Sequence, residues 1–309
     1  MNTFRSTAGA LRRAIAAGLL LALAAAAQAQ LGPPPEVVMK GVPAPPEPDA
    51  IPLRPDTGPV APEQWTTLWG QLFVRNVQRA VLLPVKPAQP NGRAVLVVPG
   101  GGYTMVSITA EGQAVAERLA SKGYTAYILK YRVRPTPPAP EDYQRQFATE
   151  MQSMGRTPRD QRPPVPPYGP AVEDAQLAML TVRRLAAEAG LQADRIGYLG
   201  FSAGARTGVA LVAAAQPGTL PHTLGVIYGP LNAPAVAAPL PALFVVHAID
   251  DPLIGMGDFG LVQTWLKTGQ RTEMHLYERG GHGFALHRTG ATSEGWIDAY
   301  LAWMERQQP

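Results

Sequence analysis

Ser202 stands at the centre of Gly200–Phe201–Ser202–Ala203–Gly204, a G-x-S-x-G pattern within the stretch YLGFSAGAR. A short apolar run, RIGYLG (195–200), reads as a strand and stops at the motif. A second, AGARTGVALVAAA (203–215), reads as a buried helix and begins directly after the serine. A strand-to-helix turn this sharp holds its central residue in strained geometry, and small flanking residues let the turn close. The hydroxyl is then presented above a sheet, at a helix N-terminus. Such a serine can attack a carbonyl carbon, provided that a base takes its proton.

The chain has five histidines: His222, His247, His275, His282 and His287. His282 sits in ERGGHGFAL, between the last strand pattern and the last helix pattern, and glycines on both sides let its ring project from a loop. His275 falls inside a strand pattern, His247 ends one, and His222 follows a proline turn. The candidate acid lies in LFVVHAIDDPLI (243–254), where two aspartates are adjacent. Neighbours on an extended chain point to opposite sides, so only one of Asp250 and Asp251 can face an imidazole. Pro252 biases Asp251 towards extended backbone. Leu253 and Ile254 are then expected to anchor the loop in the core, with Asp250 turned to solvent or to its own turn. These residues favour Asp251 without excluding its neighbour.

A serine, a histidine and a carboxylate call for donors that can hold a negative oxygen. AVLVV runs into PGGGYTMVS (99–107), and three successive glycines after a buried strand carry an entropic cost. Gly101 and Gly102 are the candidate backbone donors, with the N–H of Ala203 as a third. A phosphate-binding loop fits poorly, because neither G-x-G-x-x-G nor G-x-x-x-x-G-K-[ST] is present.

The elements that must position these groups alternate between strand and helix. The strand patterns are RAVLVV (93–98), YTAYILKYRV (124–133), RIGYLG, HTLGVIYG, ALFVVH and TEMHLYE. The helix patterns are EGQAVAERLASKG (111–123), YGPAVEDAQLAMLTVRRLAAEAG (168–190), AGARTGVALVAAA, FGLVQTWLKTG and EGWIDAYLAWMER. Repeated β–α units with continuously apolar strands predict a mostly parallel sheet covered by helices on both faces. QLFVRNVQRAVLLPV (71–85) is expected to add an antiparallel strand pair at one edge. With 309 residues and 46% hydrophobic content, one domain over 63–309 is expected. Proline-rich sequence flanks and interrupts it, as an extended tether at 30–62, partly laid on the domain, and as an insertion at 135–170.

Residues 1–29 read as an export signal. Arg5, Arg12 and Arg13 form a basic region, Ala14 to Ala27 is apolar, and small residues precede a cleavage point after Ala29. The apolar stretch falls short of the ~20 residues that span a bilayer, so no stable membrane anchor is expected after cleavage. Cysteine is absent, which excludes a disulfide framework, a thiolate metal site and a cysteine nucleophile. The formal net charge of +4 is partly carried by the signal, and no basic cluster follows that would bind nucleic acid.

PGGGY, EGQAVAERLASKGYTAYILKYRV, GPAVEDAQLAMLTVR, GFSAG, HAIDDPLI and GGHGF occur in that order. From roughly Leu68 to the C-terminus, the chain resembles the secreted bacterial serine esterases of the α/β-hydrolase fold related to acetyl-xylan esterases. Pro99 stands where relatives of the hormone-sensitive-lipase type carry histidine, and proline there is shared with the carbohydrate-esterase branch. The resemblance implies Ser202 as nucleophile, His282 as base, Asp251 as acid, and Gly101, Gly102 and Ala203 as the oxyanion hole. It implies hydrolysis of short acyl esters, acetyl esters of carbohydrates such as xylan among them, with no metal or organic cofactor, in the periplasm or the medium. Tyr103, Phe284 and Tyr168 are candidates to pack on a substrate or simply in the fold. Two other readings stay open: an amidase or dipeptidyl-peptidase-like hydrolase on the same residues, and a binding module without catalysis.

Overall fold

A strand covered on both faces is mostly apolar along its length, and five central strands are of this kind, with polar residues mainly at their ends. The computed structural model describes residues 38–158, 165–237, 239–255 and 259–307, so the expected export signal lies outside the described residues. The chain opens with β1 (Lys40–Val42), β2 (Ile51–Pro52), β3 (Gln64–Leu68), β4 (Gln71–Arg75), β5 (Val81–Val85), β6 (Ala94–Val98) and β7 (Met105–Ser107). A π-helical turn (Ile108–Gln113), α1 (Ala114–Ala120), β8 (Thr125–Lys130), α2 (Pro140–Arg156) and α3 (Gly169–Glu188) follow. Then come β9 (Gly197–Phe201), α4 (Ala203–Ala214), β10 (Thr223–Ile227) and β11 (Ala242–Ala248). The chain ends with α5 (Gly260–Lys267), β12 (Thr272–Tyr277), a 3-10 turn (Thr292–Gly295) and α6 (Trp296–Arg306).

The main sheet runs β12-β11-β10-β9-β6-β8-β5-β2, parallel from β12 to β8 and antiparallel at β5 and β2. Strands β6, β8, β9, β10 and β11 are buried at every residue. Side chains alternate along β6: Leu96 and Val98 join the core under α3, α4 and α5, while Val95 and Val97 join the core under α1 and α6. After β6 the chain crosses to β8 on one side, and β9 later lies on the other. Strand order therefore reverses at β6, and the crevice outside the carboxyl ends of β6 and β9 is where such sheets place their sites.

Two expectations are corrected. The strands of residues 71–85 do not pair with each other. β4 belongs to a separate antiparallel sheet, β1-β3-β4-β7, and β5 to the main sheet, between β8 and β2. The stretch 135–170 is no continuous loop, because α2 occupies Pro140–Arg156 with proline at its first turn. Prolines gather before and after α2, while its interior is free of them, and Pro140 is tolerated where no intrahelical N–H is needed.

Residues 39–62 lie on the domain as the outermost strands of the two sheets, where missing proline N–H groups do no harm. Ion pairs fasten them. Lys130, nearly buried, binds Glu47 and Glu63, and the fully buried Asp174 accepts from Arg54. Asp174 also accepts from the Arg132 backbone N–H at 2.9 Å and from Arg132 Nε at 3.0 Å. Removing the buried Asp174 carboxyl group leaves the Arg132 backbone N–H without its acceptor and takes the buried partner from two partly exposed guanidinium groups. Asp174→Ala is therefore expected to lower unfolding free energy by about 3 kcal/mol. A urea titration with unchanged slope and a lowered midpoint would show it.

Candidate active site

The candidate site is assembled where β6, β9, β11 and β12 end. β9 stops at Phe201, α4 begins at Ala203, and Ser202 between them has φ 47 and ψ −110. That conformation costs an L-residue about 1–3 kcal/mol and persists only where the surroundings impose it. They do so here through close packing. A Cβ at Gly200 would stand 2.6 Å from Gly204 O, and one at Gly204 would stand 2.0 Å from Val98 O. The glycines of the motif thus let the elbow close on itself and on β6.

His282 reaches over this serine from the loop after β12. Its Nε2 is 2.9 Å from Ser202 Oγ and its Nδ1 is 2.8 Å from Asp251 Oδ2. The neighbouring glycines adopt left-handed backbone, Gly281 at φ 65 and Gly283 at φ 74. Asp251 is fully buried, and its other oxygen accepts the N–H groups of Leu253 (2.7 Å) and Ile254 (2.9 Å). Those two residues are only partly buried. They hold the acid through their backbone N–H groups.

Asp250 is exposed, one of the two placements expected of it. Its Oδ1 accepts the N–H groups of Gly280 (2.9 Å) and Gly281 (2.8 Å), in the loop that carries His282. The adjacent aspartates thus both address the histidine, one at its ring and one at its loop. Asp250 lies in the turn that follows β11, closed by the Asp251 N–H on Ala248 O, and the loop after β12 meets both carboxyl groups.

The glycine run lies against the elbow. A Cβ at Gly100 would stand 2.8 Å from Ser202 Cβ and 2.9 Å from Phe201 O. Gly101 (φ 126) and Gly102 (φ 63) take backbone conformations that side chains disfavour, and a Cβ at Gly101 would collide with Met105 O at 2.2 Å. Gly101 O accepts the N–H groups of Thr104 and Met105, which closes the loop into a turn. Ala203, the first residue of α4, adds the positive end of a helix beside Ser202.

Tyr103 and Phe284, for which substrate contact and packing in the fold were both open, are buried. Tyr103 is 1% exposed, and its hydroxyl lies 3.1 Å from Thr207 Oγ1 on α4, so it packs beneath the glycine loop. Phe284 is buried edge-on against Tyr228, with ring centres 4.6 Å apart. Tyr168 packs on Tyr103 at 5.9 Å.

Two buried polar residues near the site were not singled out by their sequence. Glu111, on the π-helical turn, accepts from Gly100 N–H at 2.5 Å and from Tyr228 Oη at 2.8 Å. Burial pushes its carboxyl above the ordinary range, and the bonds from Tyr228 and Gly100 oppose that. The Tyr228 hydroxyl is pushed well above its usual value by burial and by Glu111. The Tyr228 ring stands 5.0 Å from that of His282. The signal for Glu111 was a single charge within an otherwise uncharged stretch, MVSITAEGQAVA; for Tyr228 there was none.

Chemically, the arrangement places an imidazole between a partly exposed hydroxyl and a buried carboxyl group, which suits proton removal from the hydroxyl. Among solved structures, 84% of the chain superposes on 97% of an acetyl ester-xyloside bifunctional hydrolase from Caldicellulosiruptor lactoaceticus, with a TM-score of 0.60 and 19% identity. An α/β hydrolase from a Medee basin deep-sea metagenome library matches over 87% of this chain and 98% of that one (TM-score 0.57, 18% identity). Esterase 2 of Thermogutta terrifontis, phosphoramylated by tabun, matches over 85% and 93% (TM-score 0.55, 20% identity). At such identities the likeness is one of fold, and the fold is that of the α/β hydrolases. In sequence, 55 residues are 38% identical to an acetylxylan esterase of Xylanibacter ruminicola. They make up 18% of this chain and 12% of the length of that protein. The model of the dienelactone hydrolase family matches residues 80–306, a span that takes in the glycine run, Ser202, Asp251 and His282, and the chain belongs to that family of hydrolases.

Proposed function

We propose that this hydrolase is a serine carboxylesterase that removes short acyl groups, acetyl above all, from carbohydrates. The observation that carries the reading is the continuous hydrogen-bonded series Ser202–His282–Asp251 at the open end of the sheet. His282 takes the Ser202 proton as the oxygen attacks the ester carbonyl. Asp251 holds the imidazole tautomer and stabilises the imidazolium. The N–H groups of Gly101, Gly102 and Ala203 receive the oxyanion. His282 then protonates the leaving alcohol, and water releases the acyl group by the reverse steps.

The carbohydrate part rests on the surroundings of the site. Trp69 is 64% exposed at the tip of the β3–β4 hairpin, in left-handed backbone that a bulky residue seldom adopts. Its ring meets Phe147 of α2 edge-on at 6.3 Å, and Phe147 packs on Tyr143. The Tyr143 hydroxyl is 2.7 Å from Thr104 Oγ1, two residues beyond Gly102. The aromatic group is thus fastened to the glycine loop. An exposed indole offers a flat apolar face to a sugar ring. Trp69→Ala is expected to raise KM for acetylated xylan about tenfold, some 1.4 kcal/mol. The same change should leave p-nitrophenyl acetate hydrolysis unaltered.

Glu141 and Asp142, the acidic pair that a peptidase would use for a substrate amine, lie in the first turn of α2. There they complement the helix dipole, and Asp142 is paired with Arg145. The export signal expected at 1–29 would carry the enzyme to polymeric substrates outside the cytoplasm. Acetate release from acetylated xylan, measured beside a p-nitrophenyl acyl series, tests the reading. Ser202-dependent release from xylan is expected; turnover of p-nitrophenyl esters with xylan untouched would remove the polysaccharide.

A further inference from the structure

Glu111 is a carboxylic acid where a core would ordinarily carry hydrocarbon. It is buried with Ile108, Ala110 and Gly112 on the π-helical turn between β7 and α1. Such turns are rare, and they cluster at functional sites because they re-aim side chains that a regular helix would place elsewhere. Both carboxyl oxygens are engaged, Oε2 by Gly100 N–H and Oε1 by the Tyr228 hydroxyl. A buried carboxyl is tolerated when its hydrogen bonds are complete, yet an apolar side chain would serve packing alone as well.

The two partners touch different parts of the site, Gly100 the nucleophile and Tyr228 the base. Gly100 opens the loop whose next two residues are the candidate oxyanion donors. It is squeezed between Ser202 and the acid, since a Cβ there would lie 2.8 Å from Ser202 Cβ and 2.9 Å from Glu111 Oε2. Tyr228 follows β10 in left-handed backbone (φ 36), with its ring against both His282 and Phe284. One carboxyl therefore joins the start of the oxyanion loop to the ring that backs the base.

We propose that Glu111 is a positioning residue. By holding the Gly100 N–H and the Tyr228 hydroxyl together, it sets the glycine loop beside Ser202 and the ring against His282 at a fixed separation. The inference rests on the esterase reading above, in which the loop receives the oxyanion. Misplacement of about 1 Å in such a constellation costs about 100-fold in rate, and it falls on the transition state rather than on substrate binding.

The test uses the full chain and p-nitrophenyl acetate, with melting temperatures recorded beside the kinetics. The native enzyme is assayed first. Absence of Ser202-dependent turnover there would overturn the esterase reading, and this inference with it. Given native turnover, Glu111→Ala is expected to lower kcat about 100-fold with KM changed less than about threefold. Glu111→Gln should recover to within about tenfold of native, because its amide oxygen can accept from Gly100 and its amide nitrogen can donate to Tyr228 Oη. Tyr228→Phe should lose about tenfold, and it carries the test together with Glu111→Gln if the alanine variant does not fold. A folded Glu111→Ala with kcat within threefold of native would overturn the inference and leave the esterase reading intact. So would Tyr228→Phe at the native rate, or a glutamine variant no better than alanine.

Discussion

Ser202→Ala is expected to lower kcat by about 10⁵-fold while leaving the fold in place. The side chain removed is small and bonds to His282, so the elbow keeps its glycines and its packing against β6. What disappears is the atom that forms the acyl-enzyme. Residual turnover would come only from the oxyanion donors and the bound geometry acting on water. A serine-reactive phosphonate gives a second readout: the native chain should be labelled at Ser202 and the variant left unlabelled. Labelling that persists in the variant, or a rate above about 1% of native, would remove Ser202 from the mechanism.

Asp251→Asn should cost about 10⁴-fold in kcat, against about tenfold or less for Asp250→Asn. The two residues are adjacent and chemically identical, so the contrast tests geometry alone. In Asp251→Asn the amide oxygen can still accept from Leu253 and Ile254, and the loop stays closed. The amide nitrogen then faces His282 Nδ1 and donates to it. That forces the imidazole proton onto Nε2, the atom that must accept the proton from Ser202. The base is present in the wrong tautomer. In Asp250→Asn the amide oxygen still accepts from Gly280 and Gly281, so the loop keeps its place. Measuring kcat/KM for both variants decides between the aspartates, and equal losses would contradict the roles assigned here.

Much of this site is legible in the sequence because each of its parts is local. The G-x-S-x-G turn requires small residues at fixed offsets from Ser202, the base requires a loop free to bend, and the donors require backbone without Cβ. A parallel sheet also announces itself, since strands such as AVLVV are buried on both faces and lose their alternation. The proline-rich segments were harder to place. Proline reports what a segment cannot do, and both a free tether and an edge strand comply with that. Within 135–170 the same residue type flanks a helix whose own interior carries none.

What the sequence by itself determined is the chemistry available and the order of the elements that carry it: a serine on an elbow, a late histidine between glycines, a carboxylate before proline. Tertiary structure alone decided the partners. Asp250 meets a loop 30 residues away, Glu111 meets Tyr228 across 117 residues, and Tyr103 is drawn under its loop by Thr207, 104 residues on. Hydrogen bonds of this kind follow from how the sheet twists and which loop ends fall together. No local spacing encodes them, because the residues share neither a helix face nor a strand register, and only the packed core brings them within reach.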